Sequence, residues 1–574
     1  MSGDDFVHLH VHSAYSMTDG GASVDELAET AARMGQPALG LTDHGVVSGL
    51  FDFWKACRRA DVKPVLGMEA YVTPETDRRD PSPVSWDPDP GRRRNPDDVS
   101  GGGKFTHLSL WAETDEGLSN LFAMSSTANL EGRVGRYPRV DRELLSRYAG
   151  GLICGSGCPS GAVQTRLRLG QFDEALRMAG ELQDIFGRGN FFVELMDHGL
   201  EIESRVRAGL IDIAGKLGAP IVATADVHYA RPEDRMAQEM RLCIESGMTW
   251  DDPSRFRFDG DGYYLRPGEE MRRLFADVPE ACDNTRLIAE RCDANFHPRP
   301  EGALMPVGDH GPDETSDGVL REMTDSGLLR LGVTVTDDVR DRTEIELRAI
   351  GSTNVAEYLL AVADVKRRLV ESGLAFTPGE GNATASLVCY ALGITQVNPL
   401  EQNVPAARFI NARKPTFPTV TLRTEPGAAR LVPDMLNAHY GKHHAAPTVA
   451  HSAYGRSNAV KAVARAFEYQ KSAGSASDAD AIDAWLREQH HTDVQDRIAR
   501  FPYRRFVREG SIVLASRPFT ELTSLIQQVD GTIATALDLH ACRELGLPHL
   551  NILGSASLRR DDAASQKEEE PSLF

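Results

Sequence analysis

His8-Leu9-His10-Val11-His12 sets three histidines at alternate positions inside Phe6–His12, a stretch that reads as a β-strand. Side chains alternate across a strand, so the three imidazoles share one face. One histidine on such a face is usually a hydrogen-bonded core residue, and three in a row are hard to explain that way. Working outward, further strand-like stretches lead into residue types that bind metals. Pro37–Thr42 runs into Asp43-His44, Pro64–Tyr71 carries Glu69, Thr106–Trp111 carries His107, and Pro220–Ala225 runs into Asp226-Val227-His228. Asp19 and Cys158 join them from loops. Two more strands are expected at Gly151–Cys154 and Phe191–Leu195, and helical patterns fall at Val24–Met34, Gly49–Arg59, Glu174–Phe186 and Glu203–Leu217. The alternation predicts an α/β fold with a parallel sheet or a barrel, and seven strands favour a barrel with its chemistry at the strand C-terminal ends. His, Asp, Glu and Cys on one rim match the mixed donors of a multinuclear Zn, Mn or Fe centre. Asp80–Gly103, rich in Pro, Asp, Arg and Gly, is expected as a surface loop.

The whole chain has 574 residues, with 63 Lys and Arg against 84 Asp and Glu, a formal net charge of −21. Such a balance disfavours wrapping duplex DNA by charge alone, so a role on nucleic acid needs a metal or a partner. No run of about 18 apolar residues is present, which excludes a transmembrane helix. The acidic start, Met1-Ser2-Gly3-Asp4-Asp5, lacks the basic and apolar regions of a secretory signal, and the eight cysteines form no CxxC pair. The expected location is the cytoplasm.

The segments HLHVHSAYSMTDG, LGLTDHG, PVLGMEAYV, THLSL, GCPSG and ADVHY resemble, in order, the polymerase-and-histidinol-phosphatase (PHP) domain of the bacterial C-family replicative DNA polymerase, the polymerase III α subunit of actinobacterial type. The resemblance implies a distorted (β/α)7-type PHP barrel over residues 1–285. It also implies a 3′→5′ proofreading exonuclease whose nine ligands hold three divalent ions (Zn, Mn, Fe or Mg). Those ligands fall on His10, His12, Asp19, His44, Glu69, His107, Cys158, Asp226 and His228, with Asp19, Glu69 and Asp226 as the catalytic carboxylates. His8 lies outside the set and is expected to be structural.

The similarity continues into an α+β polymerase palm-like domain with a helical thumb insertion. It implies connecting helices and a first palm segment over 286–439, a shortened thumb over 440–503, a second palm segment over 504–556 and an acidic tail over 557–574. Helices are expected at Thr315–Leu331, Asp341–Ile350, Ala356–Glu371 and from about Ala383, and residues 471–482 (KSAGSASDADAI) as a linker. Where the family has PGRGS, this chain reads Pro378-Gly379-Glu380-Gly381-Asn382, placing a carboxylate where a triphosphate would bind. Where the family has PDxDxDF, it reads Pro418-Thr419-Val420-Thr421-Leu422-Arg423, so Thr419 and Thr421 stand at the two catalytic aspartates. Asn551 stands at the third. Neutral oxygens do not balance two Mg²⁺ ions. The chain ends before the fingers, helix-hairpin-helix and OB regions, and template-directed synthesis is not expected.

The terminal Glu570-Pro571-Ser572-Leu573-Phe574 resembles the peptide by which such polymerases bind the β sliding clamp, with Leu573 and Phe574 as apolar anchors beside Ser572. The basic residues Arg500, Arg504, Arg505 and Arg508 form either a solvated face or a DNA-backbone contact. The reading that follows is a polymerase-inactive exonuclease acting on DNA with a 3′ end, recruited by the clamp and serving another DNA polymerase, with no membrane role. The alternatives are a non-catalytic replisome scaffold or decoy, a phosphoesterase for small phosphomonoesters, and retained polymerase activity through Glu425 or Asp434.

Overall fold

The structure, a computed structural model, describes residues 6–89, 95–308, 310–311, 314–353, 355–411, 416–468, 479–488 and 492–558. Two compact units divide the chain. One comprises the residues up to Phe296 with His451–Phe506 and Thr520–Val529, and the other comprises His297–Ala450, Val507–Phe519 and the residues from Asp530 onward.

In the first unit, strands β1 (Ala38–Leu41), β2 (Lys63–Val72), β3 (Thr106–Ala112), β4 (Arg133–Val134), β5 (Tyr137–Val140), β6 (Leu152–Gly155), β7 (Phe191–Leu195) and β8 (Ile221–Ala223) form one sheet of order β4-β5-β2-β3-β6-β7-β8. β1 pairs with the first half of β2 and β5 with its end. Residues 6–12 close the ring. On one side Gly40 N–H donates to His8 O (2.7 Å) and Thr42 N–H to Val11 O (2.8 Å); on the other His12 N–H donates to Val227 O (2.7 Å) and Val227 N–H to His10 O (3.0 Å).

The expected first strand is therefore extended and bonded on both sides, but it is not a regular ladder. Val11 N–H turns to the Thr42 hydroxyl (3.0 Å), and Leu9 O accepts the Trp111 indole N–H (2.9 Å), so side chains replace backbone partners. Gly40 permits the close approach, since a Cβ there would meet Leu9 O at 2.4 Å.

β3 departs from the expected parallel order, running antiparallel to both β2 and β6. The described connection from β2 to β3 holds only a one-turn helix, Ser100–Gly103, and without a crossover helix a strand returns antiparallel. The start of β3, rather than its end, thus joins the rim where its neighbours finish. The expected loop at 80–103 is in part packed: Trp86 is buried, with the Arg166 guanidinium 3.9 Å from its ring.

The helix Val24–Met34 falls where its pattern placed it, because Ser23 and Glu26 form a capping box and Gly35 ends it in the left-handed region. The longer helix Asp115–Glu131 escaped the pattern reading because its buried face includes Ser125, Ser126 and Asn129. Helix Arg235–Ser246 shares a core with Gly455–Ala466, Ala479–Glu488 and Thr492–Ile498, through Met240, Cys243, Val460, Val463, Leu486 and Ile498. The expected linker thus gives way to helix from Ala479, with Ile482 buried; its residues 471–478 lie outside the described residues.

Strands β9 (Thr421–Thr424), β10 (Ala445–Ala453), β11 (Pro502–Leu514) and β12 (His549–Gly554), which lie mostly in the second unit, form a sheet of order β10-β11-β12-β9. Helices Ser316–Arg330, Asp337–Gly351 and Ala356–Glu371 accompany it. Tyr358, fully buried, ties helix to sheet: its hydroxyl donates to His549 O and accepts from Val420 N–H, both at 2.9 Å. Among the described residues no helix is long and apolar enough to cross a membrane.

Candidate metal centre

The nine expected donors come together at the barrel rim. His10 and His12 lie on the closing segment, Asp19 on the loop behind it, His44 after β1, Glu69 on β2, His107 at the start of β3, Cys158 after β6, and Asp226 and His228 after β8. Glu69 stands at the middle. Its carboxylate is 2.6 Å from His44 Nδ1, 3.0 Å from His107 Nδ1, 3.2 Å from His10 Nε2 and 3.7 Å from His12 Nε2. Asp226 Oδ1 is 3.1 Å from His12 Nε2 and 3.4 Å from His10 Nε2, Asp19 Oδ2 is 3.1 Å from His44 Nε2, and Cys158 Sγ is 3.4 Å from His107 Nδ1.

Three overlapping groups have the spacing of a metal-ion site: His12, His44 and His228; His10, His12 and Glu69; and His44, Glu69 and His107. The chemistry of the set fits a divalent cation on a further count. His10 Nε2, His12 Nε2, Asp19 Oδ1, His44 Nδ1, Glu69 Oε2, Asp226 Oδ1 and His228 Nε2 are all buried with no well-aligned hydrogen-bond partner. Buried polar atoms are costly when unpartnered, and a divalent ion among these donors would pair them.

Outer groups set which nitrogen faces inward. His10 Nδ1 lies 3.0 Å from Glu194, His12 Nδ1 lies 3.2 Å from the Ser16 hydroxyl, and His228 Nδ1 donates to Asp226 O (2.7 Å), which leaves each Nε2 aimed at the cluster. Ser16 in turn donates to Asp43 (2.8 Å), which also accepts from the Ser13 N–H and hydroxyl. Pattern reading passed over Glu194. Its signal was a lone carboxylate in the apolar strand Phe191–Leu195, every residue of which is buried.

Mutual charge dominates the electrostatics. Burial would raise the Glu69 carboxyl, but His107, His44 and His10 outweigh it and hold it well below the usual carboxylate range. Burial likewise opposes, and His228 and His10 overcome, at Asp226, and His44 does the same at Asp19. Burial, aided by the Glu69 and Asp226 charges, pushes the Cys158 thiol up, and a cation in the cluster would reverse that. Aromatic rings hold the imidazoles: Phe105 stacks on His107 at 5.6 Å, Tyr71 on His44 at 5.8 Å, and Phe258 meets His228 edge-on at 4.6 Å. Asp226 itself sits at φ +41°, a strained left-handed backbone. His8 stays apart, with Nε2 2.9 Å from Arg266 O and burial pulling its pKa down to about 4.

In the second unit Thr421 and Asn551 are register partners on β9 and β12, and Thr419 lies just before β9. Glu380 is not a bare carboxylate: Arg423 donates to it at 2.5 and 3.1 Å. Glu425 accepts the Ala375 N–H (3.0 Å), and Asp434 is exposed in the first turn of helix Val432–Tyr440. Arg505 is half-buried, its pKa pulled down to about 10 by burial and Arg133, and Arg500 and Arg508 are exposed. The side chain of Arg504, and Ser572, Leu573 and Phe574, lie outside the described residues.

Residues 8–198 match the PHP domain family and residues 318–554 match the bacterial DNA polymerase III alpha NTPase domain. The fold is a PHP domain followed by a polymerase III alpha palm-like domain, and its histidine–carboxylate cluster is of a kind that binds metal.

DNA polymerase III subunit alpha of Mycobacterium tuberculosis is 37% identical across 97% of this chain and 50% of the relative. That of Saccharopolyspora erythraea is 36% identical across 97% and 50%, and that of Treponema pallidum 35% across 81% and 38%. The chain is thus polymerase III alpha-like and spans about half the length of the curated relatives that match nearly all of it.

Proposed function

We propose that this chain is a metal-dependent 3′→5′ DNA exonuclease of the PHP proofreading type that does not itself polymerise. It works in the cytoplasm, is brought to 3′ ends through the β sliding clamp by Ser572-Leu573-Phe574, and serves another DNA polymerase. The observation that carries the reading is the convergence at one rim of seven buried donor atoms that lack a well-aligned hydrogen-bond partner. The ligands are the nine donors His10, His12, Asp19, His44, Glu69, His107, Cys158, Asp226 and His228, holding three ions. Bound divalent ions would lower the pKa of a water and offset the charge of the scissile phosphate. Asp19, Glu69 and Asp226 supply the negative charge that retains the ions, while Glu194 and Ser16 keep the imidazoles aimed inward. The same cations give a −21 chain a local seat for phosphate.

The absence of carboxylates at Thr419, Thr421 and Asn551 supports the loss of synthesis. The well-packed core around Tyr358 supports a retained docking role for the palm, and so a scaffold as the second reading. The test is release of mononucleotides from a 3′-mismatched primer with Mn²⁺ or Zn²⁺, with and without clamp, beside Asp226→Asn. Metal-dependent release that the variant loses is expected. No release by the unaltered chain with any of these ions overturns the exonuclease reading and leaves the scaffold.

A further inference from the structure

Phe256 is exposed to 63%, against 38% for Phe506, the other exposed phenylalanine among the described residues. Its ring meets Phe258 edge-on at 5.6 Å, and Phe258 meets His228 edge-on at 4.6 Å and Tyr263 at 4.8 Å. Aromatic rings therefore run unbroken from the metal centre to solvent, and Phe256 is the outermost. Tyr263 anchors the row from behind, stacked on His198 at 4.2 Å, and His198 is itself fixed by Glu203 and by Ala225 O. The inner rings are held in place and the outer one offers an uncovered surface.

Phe258 lies one ring contact (4.6 Å) and Phe256 two (a further 5.6 Å) out from His228, on the side to which a phosphodiester seated at the metal centre could direct its base. Every base has a π-face, so aromatic side chains stack bases of any sequence. Exposed Arg257 between the two rings is outnumbered by exposed Asp259 and Asp261 just beyond them, so the patch holds no excess of positive charge for phosphate, while an uncharged base face needs none. We propose that Phe256, backed by Phe258, is the stacking platform for the unpaired 3′-terminal base. The inference rests on the exonuclease reading and sharpens its substrate: a paired terminal base is already stacked in its duplex, whereas a mismatched one leaves it at little cost. The platform thereby selects frayed ends.

The test is a cycle of two proteins and two strands. Binding of a single strand with a normal 3′ nucleotide, and of one whose 3′ nucleotide lacks its base, is followed by fluorescence anisotropy with Ca²⁺, for the unaltered chain and Phe256→Ala. Phe256→Ala should weaken binding of the normal strand about 5- to 150-fold and that of the abasic strand little, and Phe256→Trp should restore it. Equal weakening on both strands, no weakening, or no binding of either strand by the unaltered chain overturns the platform. Cleavage of the normal strand with Mn²⁺ is measured separately. Coupling without cleavage keeps the platform and removes the exonuclease, and cleavage without coupling does the reverse.

Discussion

Asn551 faces Thr421 across the parallel pair of β12 and β9, its amide nitrogen 3.5 Å from the threonine hydroxyl. Both groups are neutral, and the amide donates to the hydroxyl rather than either offering a carboxylate. The chain should extend no primed template in a gel assay with Mg²⁺. Thr421→Asp with Asn551→Asp would set two like charges in that space, and about 1–3 kcal/mol of stability should be lost in EDTA, with discounting for solvent screening. Mg²⁺ should recover much of it, as read by thermal unfolding.

Asp226 combines a ligand position with a left-handed backbone at φ +41°. Asparagine tolerates that conformation and alanine does not. Asp226→Asn should lose bound metal, measured by elemental analysis, while keeping the melting temperature of the metal-free chain. Asp226→Ala should lose metal and a further ~1 kcal/mol of stability.

Glu194 acts through His10, which makes it a positioning residue. Glu194→Gln should weaken metal affinity about 10- to 100-fold in a chelator competition, with Glu194→Asp intermediate. Unchanged affinity would count against the hydrogen bond as the device that orients His10.

Asp141 accepts the Arg78 N–H and guanidinium and the Leu144 N–H; burial would raise its carboxyl, and those partners together hold it below the usual range. A depressed carboxylate stabilises the fold above its unfolded pKa, and that contribution disappears as pH falls through the folded value. Asp141→Asn should therefore cost about 2 kcal/mol at neutral pH, since the nearly buried Arg78 loses one charged partner and keeps Glu131 and Glu143. The difference from the unaltered chain should shrink steadily below about pH 4, in denaturant titrations across pH.

Legibility in the sequence followed how local each signal was. The helix Val24–Met34 carries its own cap and stop, and Ala356–Glu371 its own apolar stripe, so both could be placed from a dozen residues. The donors His10, His12, His44, Glu69, His107, Asp226 and His228 could be grouped because each sits at or near a strand end. The reversed direction of β3 was hidden, because it depends on the lack of a crossover helix among the described residues between β2 and β3. Glu194 and the Glu380–Arg423 pair were hidden too, since a carboxylate's meaning lies in its partner and those partners are far away in sequence.

Arg241 is wholly buried, and its guanidinium donates to the carbonyls of Ala14, Met17 and Gly20 and to that of Pro502 (3.1 Å), with Phe501 beneath it at 5.2 Å. Arg241 fastens the loop that presents Asp19, and Phe501 and Pro502, about 480 residues beyond that loop, in turn hold Arg241. During synthesis the barrel's own strands leave the ribosome long before that last fastening is available. A fragment cut at the end of the barrel would keep Arg241 and its contacts to that loop but lose the Phe501 ring and the Pro502 carbonyl that hold the guanidinium from its other side.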